Sequence, residues 1–599
     1  MPMKATYLLP IATAILIVVF FAGLPALRVC RPPQKLQDEK RGWRSHWFIL
    51  ALTLIYTVVA FVNLGNARSP QSFRRFSGES AVFELESPSP VGRVMLFTGI
   101  VQGDCSIEFS PDGSSWLPAA SYEVGHASVL KWEEPKLDGA PAGVVSAVRL
   151  TGWNGVELGE IAVFSPEGER LALRSACAEL CDEQDLVPET PHYMNSSYFD
   201  EIYHARTAWE HLRGMNPYEW THPPLGKTII SLGIAIFGMT PFGWRFMGTL
   251  FGVAMLPLIY WFARKLFGGR FVPGACAALL ATDFMHFTQT RIATIDTFGV
   301  FFILLMYGFM YEYLQTRKLK DLALSGVFFG FGAACKWTCL YAGAGLGVLW
   351  LIHWLRQARA VSPEGRERGE KPDYRYPGTE FAANVAWCLI FFVAVPMLIY
   401  YLAYIPYGNA RGCIPFSGEY TALVWKNQGD MFNYHKGIES THPYASRWYQ
   451  WMLDIRPVFF YLKNFGDGTR SSFGTWLNPL LCWAGLLTLP VLIYMLLIRR
   501  ERKAGFLLWG YLAQLLPWIF ITRTTYEYHY FPCSIFLVLA LGYVFGLMRD
   551  NIRRWKPFVV GFCVLSALLF ILFYPATSGM RVNSELATKL LKWLPTWPY

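Results

Sequence analysis

The feature that most constrains this chain is a series of long apolar runs, because a run of about 20 apolar residues can cross a membrane as a helix. Only 16% of the 599 residues are charged and 53% are hydrophobic, whereas about a quarter of the residues in a soluble domain are charged. The chain is therefore predicted to be a polytopic α-helical membrane protein. The runs that we interpret as spans are 7–27, 47–64, 245–263, 271–287, 296–314, 321–337, 338–357, 381–403, 474–498, 505–522, 530–547 and 557–575.

Basic residues lie in short clusters between alternate pairs of the later runs, at 264–270, 317–320, 356–375, 499–503 and 549–556. Cytoplasmic loops of membrane proteins carry an excess of Lys and Arg, so we place these clusters in the cytoplasm. The net charge of +10 then reflects membrane topology and does not indicate nucleic-acid binding.

This topology leaves four polar segments on the other side of the membrane: 283–296, 336–338, 405–475 and 524–530. The apolar stretch 225–242 is then expected to lie on the surface or to re-enter, because a full crossing there would invert every later loop. The prediction is about eleven core spans, or about twelve if the N-terminal run is a retained helix and not a signal peptide.

Residues 67–173 have a different character, because they lack any spanning run and alternate between apolar and polar residues over short stretches. Such stretches, separated by turn signals, predict an extracytoplasmic antiparallel β-sandwich. The phrases IEFSPDGSSW and VRLTGWNGVELGEIAVF resemble a discoidin-like jelly roll, which implies either carbohydrate binding or a spacer role. Cys177 and Cys181 follow in a polar stretch, where they either form a disulfide or remain free thiols.

The stretch 198–227, YFDEIYHARTAWEHLRGMNPYEWTHPPLGK, carries the first candidate site residues, Asp200, Glu201, His204 and His222. Ionisable groups beside a membrane are functional candidates by default, although an acidic pair in a loop is more often a solvated surface pair. The histidine spacing does not fit a metal site, so we expect no required metal or other cofactor, while an acidic pair is able to recruit a divalent cation.

Carboxylates and basic residues on one membrane face suit the transfer of a sugar from a polyprenyl phosphate. Cationic side chains stabilise the phosphate leaving group, and a carboxylate takes the proton of the acceptor hydroxyl. Arg291 and Lys336 are the phosphate candidates, with the alternative that each only reaches toward lipid headgroups. The sequence contains no P-loop, dinucleotide-binding glycine pattern, lipase elbow or zinc-protease motif.

Several segments, in order, resemble the protein O-mannosyltransferase family of GT-C membrane glycosyltransferases. YFDEIYHARTAWEHL with THPPLGK resembles the first outer loop of that family, and DFMHFTQTRIATID resembles the second; KWTCLY, THPYASRWYQWML and YEYHYFP also match in order. The resemblance implies a similar number of crossings, a large first outer loop, inversion of configuration and a polyprenyl-phosphate sugar as the donor.

Carried over by motif, the resemblance implies a role for each matching residue. Asp200 is the general base, with Glu201 beside it as a second catalytic carboxylate. Arg245 holds the donor phosphate or orients the loop, and Asp283 and Asp296 orient the basic groups. The residues expected to support the sugar or the acceptor are His204, His222, His442, Tyr444, Arg447, Trp448 and His529.

The leading hypothesis is transfer of a sugar, expected to be mannose, to Ser or Thr of exported protein. The short 404–473 loop and the β-rich insert differ from eukaryotic members and resemble bacterial ones, which leaves a lipid or an envelope polymer as an alternative acceptor. A lipid-linked-sugar flippase is the third hypothesis, although the internal repeat typical of transporters is missing from the sequence. We expect a multi-pass cell-membrane protein whose active site faces outward and whose partners are a polyprenyl-phosphate-linked sugar, a hydroxyl acceptor and membrane lipid, with no nucleic acid.

The predicted segments, in chain order, are an extra N-terminal helix at 1–28, a basic loop with the first core helix at 29–66, the β-sandwich at 67–175, the first outer catalytic loop with a surface or re-entrant helix at 176–244, the transmembrane catalytic core at 245–403, an outer loop at 404–473 and the C-terminal transmembrane helices at 474–599.

Overall fold

The computed structural model describes residues 8–22, 32–36, 46–138, 143–374, 377–438 and 442–597. Most of the basic segment between the first two apolar runs, including Arg28, Arg31, Lys40, Arg41 and Arg44, lies outside these ranges. The chain forms two compact units. The first comprises 1–62, 219–228 and 248–599, and the second comprises 63–218 and 229–247.

Helices dominate the first unit, and each predicted run after residue 244 overlaps at least one helix. The helices of both units, in chain order, are α1 (Leu8–Ala22), α2 (Trp47–Phe61), α3 (Glu201–Arg213), α4 (Leu225–Phe237), α5 (Pro241–Phe267), α6 (Phe271–Ala281), α7 (Phe284–Thr290), α8 (Asp296–Thr316), α9 (Leu319–Cys335), α10 (Thr338–Val361), α11 (Pro363–Glu367), α12 (Pro377–Leu389), α13 (Val395–Ala403), α14 (Ile405–Asn409), α15 (Gly418–Gly437), α16 (Trp448–Trp451), α17 (Pro479–Leu497), α18 (Arg502–Leu515), α19 (Phe531–Asn551), α20 (Trp555–Ser578) and α21 (Ser584–Leu591), with a π-helical turn, Ile390–Ala394, between α12 and α13.

Within the described ranges, 7 helical segments are long and apolar enough to span a membrane, or up to 8 if the pair α6–α7, bent by 60°, counts as one span. This confirms a polytopic helical membrane protein but not the predicted number of crossings. The shortfall has a simple cause, because α1, α2, α9 and α18 lie in predicted spans but have only 15, 15, 17 and 14 residues. The stretch predicted not to cross contains α4, which has only 13 residues. At 1.5 Å per residue, α4 is about 20 Å long, shorter than the bilayer's hydrocarbon core of about 30 Å.

The second unit contains two five-stranded antiparallel sheets, ordered β1-β8-β3-β6 with β9 beside β8, and β10-β2-β7-β4-β5. Side chains of both sheets meet in one apolar core that includes Phe83, Ile107, Val148 and Ile161. The strands are β1 (Arg74–Phe76), β2 (Ser80–Ser89), β3 (Arg93–Thr98), β4 (Gly103–Ser110), β5 (Leu117–Val124), β6 (Trp132–Glu133), β7 (Val145–Trp153), β8 (Val156–Phe164), β9 (Arg170–Leu171) and β10 (Leu173–Ser175).

Two further features complete the description of the fold. A small antiparallel sheet in the first unit joins β11 (Val458–Asn464), β12 (Thr469–Thr475) and β13 (Val582–Asn583). In the second unit, Cys177 and Cys181 are free thiols, so the disulfide, one of the two predicted alternatives, is not formed in this structure.

Close packing of α18 against α19 generates a test of the helix bundle. A methyl group added at Gly510 would lie 2.2 Å from Cε1 of Phe536, and that ring is 1% exposed. We expect Gly510→Ala to lower the free energy of unfolding by about 1–3 kcal/mol through overpacking. The measurement is thermal unfolding of the purified protein in detergent.

The matched control is Gly561→Ala in α20, where nothing lies within 4 Å of the added methyl group. Alanine favours a helix over glycine, so the control is expected to unfold at or slightly above the wild-type temperature. Equal unfolding temperatures for the two variants would contradict the packing of α18 on α19.

Candidate functional site

Asp200 lies at the start of α3 in the second unit, where the chain turns sharply into the helix. The preceding residue, Phe199, has a φ of 48°, an uncommon conformation for a bulky residue. The Asp200 carbonyl accepts hydrogen bonds from the backbone N–H groups of Tyr203 and His204 at 3.1 and 3.0 Å. Asp200 is half-buried, and these two bonds hold its backbone at the entry to α3.

Glu201, the next residue, is fully buried and pairs with Arg245 of α5. Arg245 Nε donates to Glu201 Oε1 at 2.7 Å, and Nη2 donates to Oε2 at 2.8 Å. Glu201 Oε2 also accepts from the backbone N–H of Tyr198 at 3.2 Å. The second carboxylate of the acidic pair is therefore part of a buried, bidentate ion pair that holds the turn before α3.

The remaining N–H donors of Arg245 bind backbone carbonyls of the same unit. Nη1 donates to Leu64 at 2.9 Å and to Tyr193 at 2.8 Å, and Nη2 donates to Ser196 at 2.9 Å. A guanidinium group has five N–H donors, and here protein atoms accept all of them. Arg245 thus orients the segment before α3, which is one of its two predicted roles, and in this structure its N–H donors are directed at protein atoms.

A cavity of about 340 Å³ lies at one end of the helix bundle in the first unit. It is bordered by the start of α10, the end of α15 and the segment that follows α18, and the chain before α4 adds His222. Aromatic rings and basic groups share its wall. Its lining residues are His222, Lys336, Trp337, Thr338, Tyr341, Phe432, His435, Lys436, Trp518, Phe520, Ile521, Thr522 and Arg523.

Lys336 lies in the extended break between α9 and α10, and this break directs a buried ammonium group to the cavity. Lys336 Nζ donates to Asp296 Oδ1 at 2.6 Å and lies 5.8 Å from the ring centroid of Tyr528. The structure therefore brings together Asp296 and Lys336, two residues predicted from separate loops. Asp296 orients the ammonium group without enclosing it, since Lys336 also lines the cavity.

Arg523 and Lys436 add two more positive charges to the cavity wall. Among the residues that the structure describes, neither has a carboxylate within ion-pair distance, and Arg523 donates only a long 3.3 Å bond to the neighbouring carbonyl of Thr524. Cationic side chains that converge on a partly aromatic cavity favour an anionic ligand there.

The HPPLGK motif holds His222 at the cavity through a buried network. His222 Nδ1 lies 3.0 Å from Glu219 Oε1. Lys227 of α4 forms an ion pair with the other oxygen of Glu219 and donates to the carbonyls of Glu219 and His222 at 3.0 and 2.9 Å. The lysine of the motif is thus a structural cation, 1% exposed, that fixes the turn carrying the histidine.

A second histidine, His435 of α15, meets His222 at the cavity with ring centroids 5.0 Å apart. Its Nε2 lies 2.8 Å from the carbonyl of Thr221. The pKa of His435 is lowered to about 4, mainly by burial and to a smaller extent by the nearby His222. Burial also lowers the pKa of His222, although the charge of Glu219 opposes the shift. Both rings are therefore neutral at pH 7 and leave the positive charge to Lys336, Lys436 and Arg523.

Arg291, the other predicted phosphate ligand, is nearly buried at the end of α7. Its Nε donates to the Ala60 carbonyl at 3.0 Å and its Nη2 to the Val62 carbonyl at 2.8 Å. A cation at the last carbonyls of a helix is stabilising, so Arg291 fixes the end of α2. It does not line the 340 Å³ cavity.

Asp283 is fully buried and caps α7. Its carboxylate accepts from the backbone N–H groups of His286 and Asn478, each at 3.0 Å. Asp283 therefore joins α7 to the start of α17. It was expected to orient a basic group, and its carboxylate is instead directed at these two backbone amides.

Of the predicted residues in the 442–448 segment, Arg447 contacts a residue of the cavity wall. Arg447 Nη1 donates to the carbonyl of Thr522 at 2.9 Å, and Thr522 is a lining residue. The His442 ring lies 5.2 Å from Tyr526 and 5.7 Å from Tyr444. Trp448 stacks edge-on to Tyr449 at 5.8 Å.

His529 is buried in an aromatic cluster behind the cavity wall. Its ring lies 4.5 Å from Trp518, which lines the cavity, and 5.9 Å from Trp451. His204, in contrast, is buried within α3 of the second unit.

The described residues include one cluster of three acidic groups close enough to share a cation: Glu160, Asp182 and Glu183 in the second unit. Burial raises the pKa of Glu160 to about 7, and this carboxylate accepts from the backbone N–H of Glu183 at 3.1 Å. None of these residues is among the predicted site residues.

Comparison with known proteins identifies the family. The family model "Dolichyl-phosphate-mannose-protein mannosyltransferase" matches residues 221–362, and the model "C-terminal four TMM region of protein-O-mannosyltransferase" matches residues 421–597. Together these ranges cover just over half of the chain. The chain belongs to the protein O-mannosyltransferase family.

Bacterial members of the family align with about two thirds of this chain. The polyprenol-phosphate-mannose–protein mannosyltransferase of Mycobacterium tuberculosis is 27% identical over 466 residues, 67% of this chain and 86% of the relative. The protein of that name from Mycolicibacterium smegmatis is 25% identical over 470 residues, 68% of this chain and 89% of the relative.

A solved structure agrees at the level of the fold. The S. cerevisiae protein O-mannosyltransferase Pmt1–Pmt2 complex bound to the sugar donor matches with a TM-score of 0.57 and 14% identity, over 67% of this chain and 89% of that chain. Every residue that lines the 340 Å³ cavity falls inside the two ranges matched by the family models.

Arg523, His435 and Lys436 of this O-mannosyltransferase family member were not among the predicted site residues. Arg523 lies three residues before the YEYHY run, so its closeness to that motif was an available signal. His435 and Lys436 had none, because they lie near the end of a polar helix whose packing onto residues 220–222 is a tertiary contact.

The buried Arg245–Glu201 pair predicts that removing Arg245 destabilises the fold. Arg245→Met removes the cation that pairs with the buried Glu201 carboxylate and the donors that reach three backbone carbonyls, and we expect a loss of about 3–5 kcal/mol in the free energy of unfolding. The measurement is a double-mutant cycle of unfolding in detergent with Glu201→Gln and the double variant.

In that cycle, the double variant is expected to lose less stability than the two single variants lose in sum. Each single variant leaves one buried charge without its ion-pair partner, whereas the double variant contains neither charge. An Arg245→Met protein that unfolds like the wild type would contradict the positioning role.

Proposed function

We propose that this chain transfers mannose from a polyprenyl-phosphate donor to a Ser or Thr hydroxyl of exported protein. The observation that carries the proposal is the 340 Å³ cavity, whose three cations and aromatic walls lie in the ranges matched by the mannosyltransferase models. The mycobacterial relatives, named as polyprenol-phosphate-mannose–protein mannosyltransferases, support the donor and the acceptor.

The cavity supplies what a sugar phosphate requires. The ammonium of Lys336 and the guanidinium of Arg523 bind the phosphate oxygens, and a guanidinium matches them with paired donors. The faces of Trp337 and Tyr341, both in the cavity wall, suit the apolar face of a sugar ring. The donor phosphate gains negative charge as its bond to the sugar breaks, so fixed cations at this place stabilise the transition state more than the bound substrate.

Asp200 is the general base of the proposed reaction. The acceptor oxygen forms a bond to the anomeric carbon of mannose while the bond from that carbon to the phosphate oxygen breaks. The bonding electrons leave with the polyprenyl phosphate, and the hydroxyl proton passes to the Asp200 carboxylate. A single displacement of this kind inverts the configuration of the sugar. Glu201 and Arg245 act on Asp200 through the backbone and are positioning residues. No metal is needed by this set of residues.

The finer architecture is also part of the proposal. About twelve crossings follow if the shorter apolar helices, such as α1, α2, α9 and α18, also span with some thinning of the bilayer. A separate part of the proposal is that the two sheets at residues 74–175 form a discoidin-like β-sandwich insert. The alternation of basic and polar loops supports a cell-membrane protein with its active site on the extracytoplasmic side.

The base assignment predicts a large loss of activity in Asp200→Asn. We expect kcat to fall by about 10²–10⁴-fold, the usual contribution of a general base, because the amide is isosteric but cannot take a proton. The assay measures transfer of radiolabelled mannose from polyprenyl-phosphate-mannose to a Ser/Thr-rich peptide by the purified enzyme.

Asp138→Asn is the matched control, since Asp138 is an exposed carboxylate that pairs with Lys136 at 3.2 Å. The control is expected to transfer at the wild-type rate. Near-wild-type transfer by Asp200→Asn would exclude Asp200 as the base, and label that enters an added lipid fraction but not the peptide would exclude a protein acceptor.

The cavity predicts a separate effect on donor binding. Arg523→Gln and Lys336→Gln each remove a charged phosphate donor, so the KM for polyprenyl-phosphate-mannose should rise by roughly 10–100-fold. Lys589→Gln, which removes an exposed lysine paired with Glu585, is the control. An unchanged donor KM in Arg523→Gln would show that the phosphate binds elsewhere.

A further inference from the structure

A second, larger cavity of about 720 Å³ lies in the first unit between α8, α10, α17 and α18. It adjoins the other end of the helices that reach the donor cavity. α10 shows this directly, because Tyr341 lines the donor cavity and Arg356 lines the larger one. Fifteen helical residues separate the two side chains, which corresponds to about 22 Å along the axis. The two cavities are therefore separate sites at opposite ends of α10.

Positive charge exceeds negative charge in the wall of the larger cavity. The wall contains two carboxylates, Asp373 and Glu501, and both are engaged. Gln357 Nε2 donates to Asp373 Oδ2 at 2.6 Å, and the backbone N–H of Lys503 donates to Glu501 Oε1 at 3.2 Å. The basic residues in the same wall are Arg317, Arg356, Arg500, Arg502 and Lys503.

Two of these arginines, Arg356 and Arg502, face the same cavity. The charge of Arg502 acts on Arg356, a group of the same sign. Across the part of the chain that the structure describes, neither guanidinium has a carboxylate within ion-pair distance. The five basic residues of the wall outnumber its two carboxylates. Like charges that face one cavity are unfavourable, and an anion bound between Arg356 and Arg502 would reduce their repulsion.

The rest of the wall is mostly apolar, with Leu349, Ile352 and Leu512 among its members, and it also contains Gln315 and His353. Trp509 is also in the wall, and its indole N–H donates to the Gly345 carbonyl at 3.0 Å, so the ring is held in place. A paired guanidinium site beside an apolar wall matches a ligand with a phosphate at one end and hydrocarbon at the other.

We propose that this cavity binds a phosphate-bearing headgroup, with Arg356 and Arg502 as its principal ligands. The apolar wall favours the phosphodiester of an anionic phospholipid, whose first acyl carbons pack on Leu349 and Ile352. A soluble phosphate shares the same recognising chemistry, and the experiment separates the two sources.

The test uses the full-length protein in detergent. Binding of dioctanoyl phosphatidylglycerol, dioctanoyl phosphatidylcholine and inorganic pyrophosphate is measured by native mass spectrometry for the wild type and for the double variant Arg356→Gln/Arg502→Gln. The double variant Arg553→Gln/Arg554→Gln is the matched control. It removes the same charge from two exposed arginines after α19 that are not part of the cavity wall.

We expect phosphatidylglycerol to bind the wild type and the control equally and to bind the Arg356/Arg502 variant on the order of 30-fold more weakly. Binding of phosphatidylglycerol that neither phosphatidylcholine nor pyrophosphate displaces would support an anionic lipid headgroup site, and displacement by pyrophosphate would support a soluble phosphate at the same arginines. Displacement by phosphatidylcholine would contradict recognition of an anionic headgroup. Equal binding by the Arg356/Arg502 variant and the control would overturn the proposal. Thermal unfolding of both variants confirms that each is folded.

Discussion

The first polar segment of this protein depends on one buried ion pair, Glu201 with Arg245. Both side chains are fully buried, and a buried charge is stable only when it is paired and all its hydrogen bonds are made. The five N–H donors of Arg245 meet this condition by binding Glu201 and three backbone carbonyls. Because those carbonyls belong to chain segments far apart in sequence, the pair fixes the turn that leads into α3 and hence the backbone of Asp200.

A second constraint is the cost of placing charge near a membrane. The cations that line the two cavities lie at helix ends and in breaks between helices, where water or a ligand can reach them. For Lys336, an ion pair reduces this cost. Its ammonium group donates to Asp296 at 2.6 Å, and Lys336 still lines the cavity. In the larger cavity, Arg356 and Arg502 have no carboxylate within ion-pair distance among the described residues, and this difference is why we propose an anionic ligand for that cavity.

Sequence reasoning located the helices well because periodicity and length are local properties. The runs predicted at 296–314 and 338–357 correspond to α8, Asp296–Thr316, and α10, Thr338–Val361. The roles of single polar residues were harder to predict. Asp283 and Asp296 were both expected to orient the basic groups; Asp296 accepts from Lys336, whereas Asp283 accepts from two backbone N–H groups. Arg245 was expected either to hold the donor phosphate or to orient the loop, and it binds Glu201 and three backbone carbonyls. A motif shows which residue is present, but it does not show which atoms that residue will bind.

The sequence by itself determined that this is a polytopic helical membrane protein and that it resembles the protein O-mannosyltransferase family. Both conclusions depend on local patterns: apolar length, the placement of basic residues and short motifs. Only the tertiary structure decided which cations are available to a ligand. Arg245 binds Glu201 and three backbone carbonyls, and Arg291 donates to two backbone carbonyls. Neither lines the 340 Å³ cavity, whereas Lys336, Arg523 and Lys436 line it with His222 and His435. These assignments depend on contacts between residues hundreds of positions apart, such as Thr221 with His435, and no local pattern in the chain specifies them.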